Sequence, residues 1–184
     1  HVKQVVQYLK SKTNFNPGDI GAIGISYQMH GLVLIDKDKK VLRPSIIWCD
    51  SRAVEIGDRA FESLGEKLCL SHMLNSPGNF TASKLKWVKD NEPAIYDKVY
   101  KFMLPGDFIA MKLTGDIRTT ASGLSEGILW DFKENDLSAL VMKQYGLNHD
   151  HVPELTPTFS IQGTVSYEAA VELGLSEGIP VAYR

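Results

Sequence analysis

Residues 21–31 read GAIGISYQMHG, an apolar run that ends in three side chains able to contact a ligand. The run from about Ile20 to Tyr27 predicts a buried strand. Gln28, Met29 and His30 follow it, and polar side chains at a strand end are one way in which α/β proteins build a ligand contact. The same residues fit equally well a strand that meets a turn, with local hydrogen bonds only. The stretch alone leaves both interpretations open.

Composition narrows the class of protein. The chain has 184 residues, of which 43% are hydrophobic and 23% charged, a mixture typical of soluble globular domains. The net charge is −2 and no long block of one sign occurs, so neither nucleic acid nor a membrane surface is predicted as a partner. The five lysines from Lys84 to Lys101 are interpreted as the solvated face of a helix.

The cysteines and the apolar runs point to a cytoplasmic location. Cys49 and Cys69 have no metal-type spacing, which favours buried structural thiols in a reducing compartment. No apolar run approaches the roughly 20 residues of a membrane span, and no signal peptide opens the chain. Residues 149–151, HDH, are weak as a metal cluster, so no metal site is predicted.

Hydrophobic spacing and turn chemistry divide the chain into alternating helices and strands. Val2, Val5, Val6 and Leu9 recur at helical spacing and predict a helix over 2–12 with one buried stripe. The fold class is therefore α/β with a mixed sheet flanked by helices. The other predicted elements are a loop over 14–19, a hairpin joining 32–35 to 41–44 through the tip 36–40, strands over 45–48, 99–104 and 117–120, helices over 53–64, 105–115, 137–145 and 166–173, a small, flexible segment over 121–127, and a last strand after Gly178.

Both ends of the chain look cut. The first helix begins at His1 without a cap before it, and the last strand has no element after it, so we expect truncation at both ends. There is no GxxxxGK[ST], GxGxxG, HExxH or GxSxG motif. Reasoning from the residues stops at an α/β domain that binds something polar at strand ends.

Several motifs, in order, resemble one enzyme family. Residues 24–31, GISYQMHG, resemble the substrate-side motif of xylulose kinases, and 43–52, RPSIIWCDSR, resemble the strand and turn that follow it there. Residues 80–93, FTASKLKWVKDNEP, are similar to the first signature of the FGGY carbohydrate kinases. LPGDF at 104–108 and LTG at 113–115 continue the match over nearly the whole chain.

The resemblance implies a ribonuclease H-like fold of the actin and hexokinase type. Residues 1–184 would be part of the N-terminal, sugar-binding lobe, while the ATP-binding lobe and the general-base aspartate, expected beyond Arg184, would be absent. The intact enzyme would transfer a phosphoryl group from MgATP to a ketopentose, converting D-xylulose to D-xylulose 5-phosphate. This chain would contain no catalytic residue, bind ATP and Mg²⁺ poorly and be inactive alone.

The resemblance also assigns the sugar contacts. Gln28, Met29 and His30 would contact the sugar, because an imidazole both donates and accepts hydrogen bonds. The Met-His pair replaces an Arg-Glu pair of glycerol kinases and favours a pentulose. Trp48 would pack on the carbon skeleton of the sugar, and a core position is its alternative.

Asp50, Arg52 and Asp107 are candidates for supporting roles. For Asp107 we favour stabilisation of the first turn of a helix that starts at Pro105. Asn79 stands where other members have Gly or Tyr, and Thr120 and Gly123 replace acidic residues that are common in xylulose kinases. These departures keep two alternatives open, a non-catalytic sugar-binding or actin-like module and a kinase for ribulose or glycerol. A homodimer is also left open.

Overall fold

The computed structural model describes residues 1–12 and 16–183 of the chain. The predicted loop over 14–19 lies partly outside these residues. The helices are α1 (Val2–Lys12), α2 (Val54–Leu64), α3 (Glu66–His72), α4 (Thr81–Asn91), α5 (Pro93–Tyr96), α6 (Pro105–Thr114), α7 (Ala121–Glu126), α8 (Ala139–Tyr145) and α9 (Tyr167–Leu173), with 3₁₀ turns at Pro17–Asp19 and His149–His151. The strands are β1 (Ile23–Ile25), β2 (Val33–Ile35), β3 (Lys101–Met103), β4 (Arg118–Thr120), β5 (Trp130–Asp131), β6 (Asp136–Leu137), β7 (Glu154–Thr156), β8 (Gly163–Thr164) and β9 (Pro180–Tyr183).

Strand pairing is mixed, as the α/β class predicts. β9 lies between β1, to which it is parallel, and β8, to which it is antiparallel. β2 pairs antiparallel with β3, β4 parallel with β7, and β5 antiparallel with β6. β1 is only half-buried rather than buried and is much shorter than the predicted run over 20–27. Its register with β9 ends at Ile25, after which the chain turns toward α7.

The predicted hairpin has the expected tip but a different partner strand. Asp36 Oδ1 accepts hydrogen bonds from the backbone N–H groups of Asp38 and Lys40, which closes the turn. β2 then pairs with β3, and residues 41–44 contribute only a bridge from Val41. The predicted strand over 45–48 is also wrong, because it is reduced to a bridge between Leu32 and Ile46. Pro44 has no N–H group to continue a ladder there.

Local capping explains both the helices that were predicted and one that was missed. Gly115 and Gly174 follow α6 and α9 in the left-handed conformation, and Ser166 caps α9 as expected. The segment over 121–127 is not flexible coil but contains α7. Thr120 Oγ1 accepts a hydrogen bond from the Gly123 N–H at 3.0 Å and starts this helix.

Among the described residues, three hydrophobic clusters form the core: two larger ones, and a small one where β2, β3 and α6 meet. The largest lies among α2, α3, α4, α8, β2 and β3, and the second joins α6, α9 and β9 and includes the half-buried Ile23 and Ile25. The predicted stripe of α1 is not buried, because Val2, Val5 and Leu9 are about half exposed and only Val6 packs on the second cluster.

The cysteines differ from each other. Cys69 is buried, and burial raises the pKa of its thiol. Cys49 is exposed, so the prediction of two buried thiols is wrong for it, since its segment runs along the surface before α2. Within the described residues, no helix has the length and apolar character needed to cross a bilayer.

Candidate functional site

The turn after β1 has an unusual backbone. His30 has a φ of +58°, in the left-handed region that non-glycine residues rarely occupy. This conformation costs about 1–2 kcal/mol for an L-residue. Neighbouring contacts must therefore hold His30 in place, and such strained residues cluster at functional sites.

Glu126, the last residue of α7, makes two of these contacts with His30 and a third with Tyr27. Its Oε1 accepts a hydrogen bond from the His30 backbone N–H at 3.0 Å, and its Oε2 accepts one from the Tyr27 hydroxyl at 3.1 Å. The backbone carbonyl of Glu126 lies 2.9 Å from His30 Nδ1. The end of α7 thus contacts both the main chain and the ring of His30.

The Phe80 ring and the first residues of α6 complete the packing around the turn. The Phe80 ring meets the His30 ring edge to face, with centroids 4.3 Å apart and planes at 74°. The beginning of α6 packs closely from the other side, where Pro105 lies against Gly31 and Gly106 lies against the Tyr27 ring. A Cβ at either glycine would collide with these groups, so both positions need glycine.

Lys84 ties this turn to the segment that carries Trp48. Its ammonium donates to the carbonyl oxygens of His30 at 2.8 Å and Ile47 at 3.1 Å. Its side chain is fully buried, so the interpretation of all five lysines as a solvated helix face is wrong for Lys84. Desolvation by burial lowers its pKa, and the nearby charge of Asp50 opposes that shift.

The predicted sugar contacts lie together at the surface of these two segments. The Trp48 backbone N–H donates to Gln28 Oε1 at 3.3 Å, which joins the two segments a second time. Trp48 is 58% exposed and Met29 is 56% exposed. The core position considered for Trp48 is therefore excluded, and the indole and the thioether are both open to solvent, while His30 is partly buried.

Asp50 and Arg52 are engaged with each other. Arg52 Nε and Nη2 donate to the two carboxylate oxygens of Asp50 at 2.9 and 2.7 Å. The hydrogen bond from Arg52 lowers the pKa of Asp50 and raises that of Arg52. The guanidinium also lies over the Trp87 ring at 4.6 Å, and the Asp50 carbonyl accepts from the Asn79 side-chain amide at 2.7 Å. This pair fixes the segment after Trp48.

Asp107 has the helix-terminal role favoured from sequence. It is buried, and its Oδ2 accepts a hydrogen bond from the Leu104 N–H at 3.2 Å at the start of α6. Because Pro105 and Gly106 contact the turn, Asp107 fixes an element that supports the turn from behind.

Sequence reasoning missed Glu126, Phe80 and Lys84 as parts of this site. Phe80 and Lys84 do lie inside the third motif, so that resemblance was the available signal. Glu126 carried no signal, because it ends a segment that was expected to be flexible. Its contact with His30 joins residues 96 positions apart.

The described residues contain no cluster of metal-ligating side chains. Among them, no three His, Cys, Asp or Glu side chains cluster in a way that could hold a metal.

Comparisons with known proteins agree on one family. Residues 1–183 match the model described as the FGGY family of carbohydrate kinases, N-terminal domain. The xylulose kinase of Bacillus subtilis is 33% identical over 184 residues, covering 96% of this chain and 36% of that protein. The xylulose kinase of Escherichia coli is 33% identical over 164 residues, covering 89% of this chain and 33% of that protein.

The solved structures agree with the fold. The xylulose kinase from Rhodospirillum rubrum matches with a TM-score of 0.85 and 26% identity over 97% of this chain and 37% of that one. The predicted fold of the actin and hexokinase type is confirmed by this likeness. The chain spans about a third of the length of these relatives.

Proposed function

Because this chain belongs to the FGGY family of carbohydrate kinases, we propose that it supplies the sugar-binding side of a xylulose kinase. The reaction is ATP-dependent phosphorylation of D-xylulose to D-xylulose 5-phosphate. The relatives named above are xylulose kinases, which supports a pentulose as the substrate. In this proposal residues 1–184 are part of the N-terminal, sugar-binding lobe.

The observation that carries the proposal is the braced turn at the end of β1. His30 has its backbone and ring fixed by Glu126 and Phe80, so its imidazole meets a sugar hydroxyl in one orientation. Met29 and Trp48 offer apolar surface to the carbon skeleton, and Gln28 joins the two segments. Asp50, Arg52 and Asp107 support these segments without contacting the sugar.

The ATP-binding groups and the proton acceptor are assigned to residues outside this chain. In this proposal ATP, Mg²⁺ and the nucleotide-binding lobe lie outside these 184 residues, and so does the general-base aspartate. The residues of this chain bind and orient the acceptor sugar. Because ATP is the phosphoryl donor, the proposal places the protein in the cytoplasm.

Sugar-dependent ADP formation by the full-length protein tests the function. We expect D-xylulose to give a higher kcat/KM than D-ribulose or glycerol. A higher value with glycerol or ribulose would show that the assigned sugar is wrong. The absence of turnover with every sugar would instead favour a non-catalytic sugar-binding module.

Replacing His30 tests the site. His30→Ala should lower kcat/KM for D-xylulose by about tenfold or more, since a hydrogen bond to the sugar is lost. His149→Ala is the matched control, because that imidazole is exposed on the 3₁₀ turn His149–His151. Equal effects of the two substitutions would remove His30 from the site.

A further inference from the structure

We infer that Glu126 is a positioning residue that presents His30 Nε2 to the substrate as a hydrogen-bond acceptor. The inference rests on the proposed function, because it concerns the polarity of the contact between His30 and the sugar. Its basis is the set of contacts between the end of α7 and the turn after β1.

The location of the imidazole proton follows from the partner of Nδ1. That nitrogen lies 2.9 Å from the backbone carbonyl oxygen of Glu126. A carbonyl oxygen only accepts, so Nδ1 carries the hydrogen in this contact. In the neutral ring Nε2 then has a lone pair, and it accepts a hydrogen bond rather than donating one.

The carboxylate of Glu126 fixes the backbone that carries the same ring. Oε1 holds the His30 backbone N–H, which keeps the residue in its left-handed conformation, and Oε2 is itself held by the Tyr27 hydroxyl. The Phe80 edge contact then restricts rotation of the ring. The main-chain carbonyl of Glu126 therefore sets the tautomer of His30, and the side chain of Glu126 fixes the backbone of His30.

This arrangement predicts which sugar analogues are rejected. A hydroxyl that faces Nε2 must donate its proton, so replacement of that hydroxyl by fluorine removes the hydrogen bond as completely as replacement by hydrogen. A site that is built to accept a proton discriminates strongly against analogues that lack it.

The polarity is tested with deoxy and deoxyfluoro analogues of D-xylulose on the full-length protein. At the position whose hydroxyl faces Nε2, both the deoxy and the deoxyfluoro analogue should have a kcat/KM about tenfold or more below that of D-xylulose. In His30→Ala the two analogues and D-xylulose should have similar kcat/KM values. If the fluoro analogue at every position matched D-xylulose, Nε2 would not be an acceptor and the inference would be overturned.

The role of Glu126 is tested with two substitutions. Glu126→Gln keeps an oxygen for the His30 N–H and should retain a KM for D-xylulose within about threefold of wild type. Glu126→Ala should raise KM by about tenfold with little change in kcat. Glu62→Ala, on the exposed face of α2, is the control. An unchanged KM in Glu126→Ala, or equal losses in the Gln and Ala variants, would overturn the inference.

The tautomer has a readout that needs no activity. Nitrogen-15 NMR of the labelled full-length protein, with the His30 signals identified by their loss in His30→Ala, should show the proton on Nδ1. A proton on Nε2 would overturn the inference even if D-xylulose is the substrate. If the protein were inactive with every sugar but Nδ1 carried the proton, the proposed function would be rejected and the inferred tautomer would stand. The NMR result also decides the matter if Glu126→Ala fails to fold.

Discussion

At the scale of single residues, Lys84 is a fully buried cation. A buried cation loses its hydration, and two carbonyl oxygens together with the nearby charge of Asp50 compensate the Lys84 ammonium. Both carbonyls belong to segments that carry proposed sugar contacts. The buried ammonium thus links the segment of His30 to the segment of Trp48 and fixes the spacing between them.

Replacing Lys84 should therefore reduce both stability and sugar binding. Lys84→Met keeps the volume but leaves two buried carbonyls without donors, and we expect a loss of about 1–3 kcal/mol in the free energy of unfolding. Urea denaturation measures this loss, and kinetics on the full-length protein should show a higher KM for D-xylulose.

Lys86→Met is the control for this experiment. Lys86 lies on the same helix but forms a partly exposed pair with Asp90, which is worth at most about 0.5 kcal/mol. A Lys84→Met variant as stable as Lys86→Met would show that the buried ammonium does not hold the two segments.

Tyr145 gives a prediction about alkaline pH. Its hydroxyl is hydrogen-bonded to Ser83 Oγ at 2.8 Å, and desolvation by burial raises its pKa from 10.0 to about 12. The unfolded state therefore loses this proton at lower pH than the folded state. The stability that Tyr145 contributes is fully present below pH 10 and falls as the pH rises toward 12.

The measurement compares wild type with Tyr145→Phe by urea unfolding at several pH values from 8 to about 11. The difference in unfolding free energy should shrink as the pH rises. Tyr167→Phe changes an exposed tyrosine and should give a difference that does not depend on pH. A constant difference for Tyr145→Phe as well would contradict the assigned effect of burial.

At the scale of elements, α7 connects a local capping signal to the site. The helix has only six residues, from Ala121 to Glu126, and it ends in the side chain that holds His30. Such a short helix depends on its cap and on its packing. The Thr120 cap therefore influences the position of Glu126 from the other end of the helix.

Thr120→Ala should cost about 1 kcal/mol of stability and also raise the KM for D-xylulose. Thr120→Ser keeps the cap and should restore both values. Ser166→Ala removes the cap of α9, a helix of the second cluster, and should lower stability by a similar amount without changing KM. Equal KM values in Thr120→Ala and Ser166→Ala would show that the position of α7 does not affect sugar binding.

The elements also show how far a sequence predicts this fold. α2, α6 and α9 were predicted nearly to the residue, because helix spacing, caps and terminal glycines are local signals. β7 was missed, since its three residues become a strand only by pairing with β4, which lies 36 positions earlier at each pair.

In the candidate site too, some residues could be predicted from the sequence and others only from the tertiary fold. Gln28, Met29, His30 and Trp48 could be proposed because a family resemblance covers their motifs, although residue chemistry alone left the turn ambiguous. The contact of Glu126 with His30 depends on the tertiary fold, and so does the complete burial of Lys84 on a helix with other lysines that reach the surface.

At the scale of the whole molecule, the proposed sugar contacts Met29 and Trp48 are open to solvent. Met29 and Trp48 are more than half exposed, so a sugar bound there would remain in contact with water. Two carboxylates that contact the proposed sugar segments are engaged, Glu126 with His30 and Tyr27, and Asp50 with Arg52. In the proposed function, enclosure of the sugar and removal of its proton are carried out by groups outside these residues.

We therefore expect residues 1–184, expressed alone, to show no sugar-dependent ADP formation. Circular dichroism should first show that the isolated chain is folded. A coupled ADP assay with D-xylulose then measures turnover, and the full-length protein under the same conditions is the positive control. NMR titration with D-xylulose should show weak binding, with shifts concentrated at Gln28, Met29, His30 and Trp48. Turnover near the full-length rate would mean that this chain holds a complete active site, and the assignment of the base and the nucleotide to other residues would be wrong.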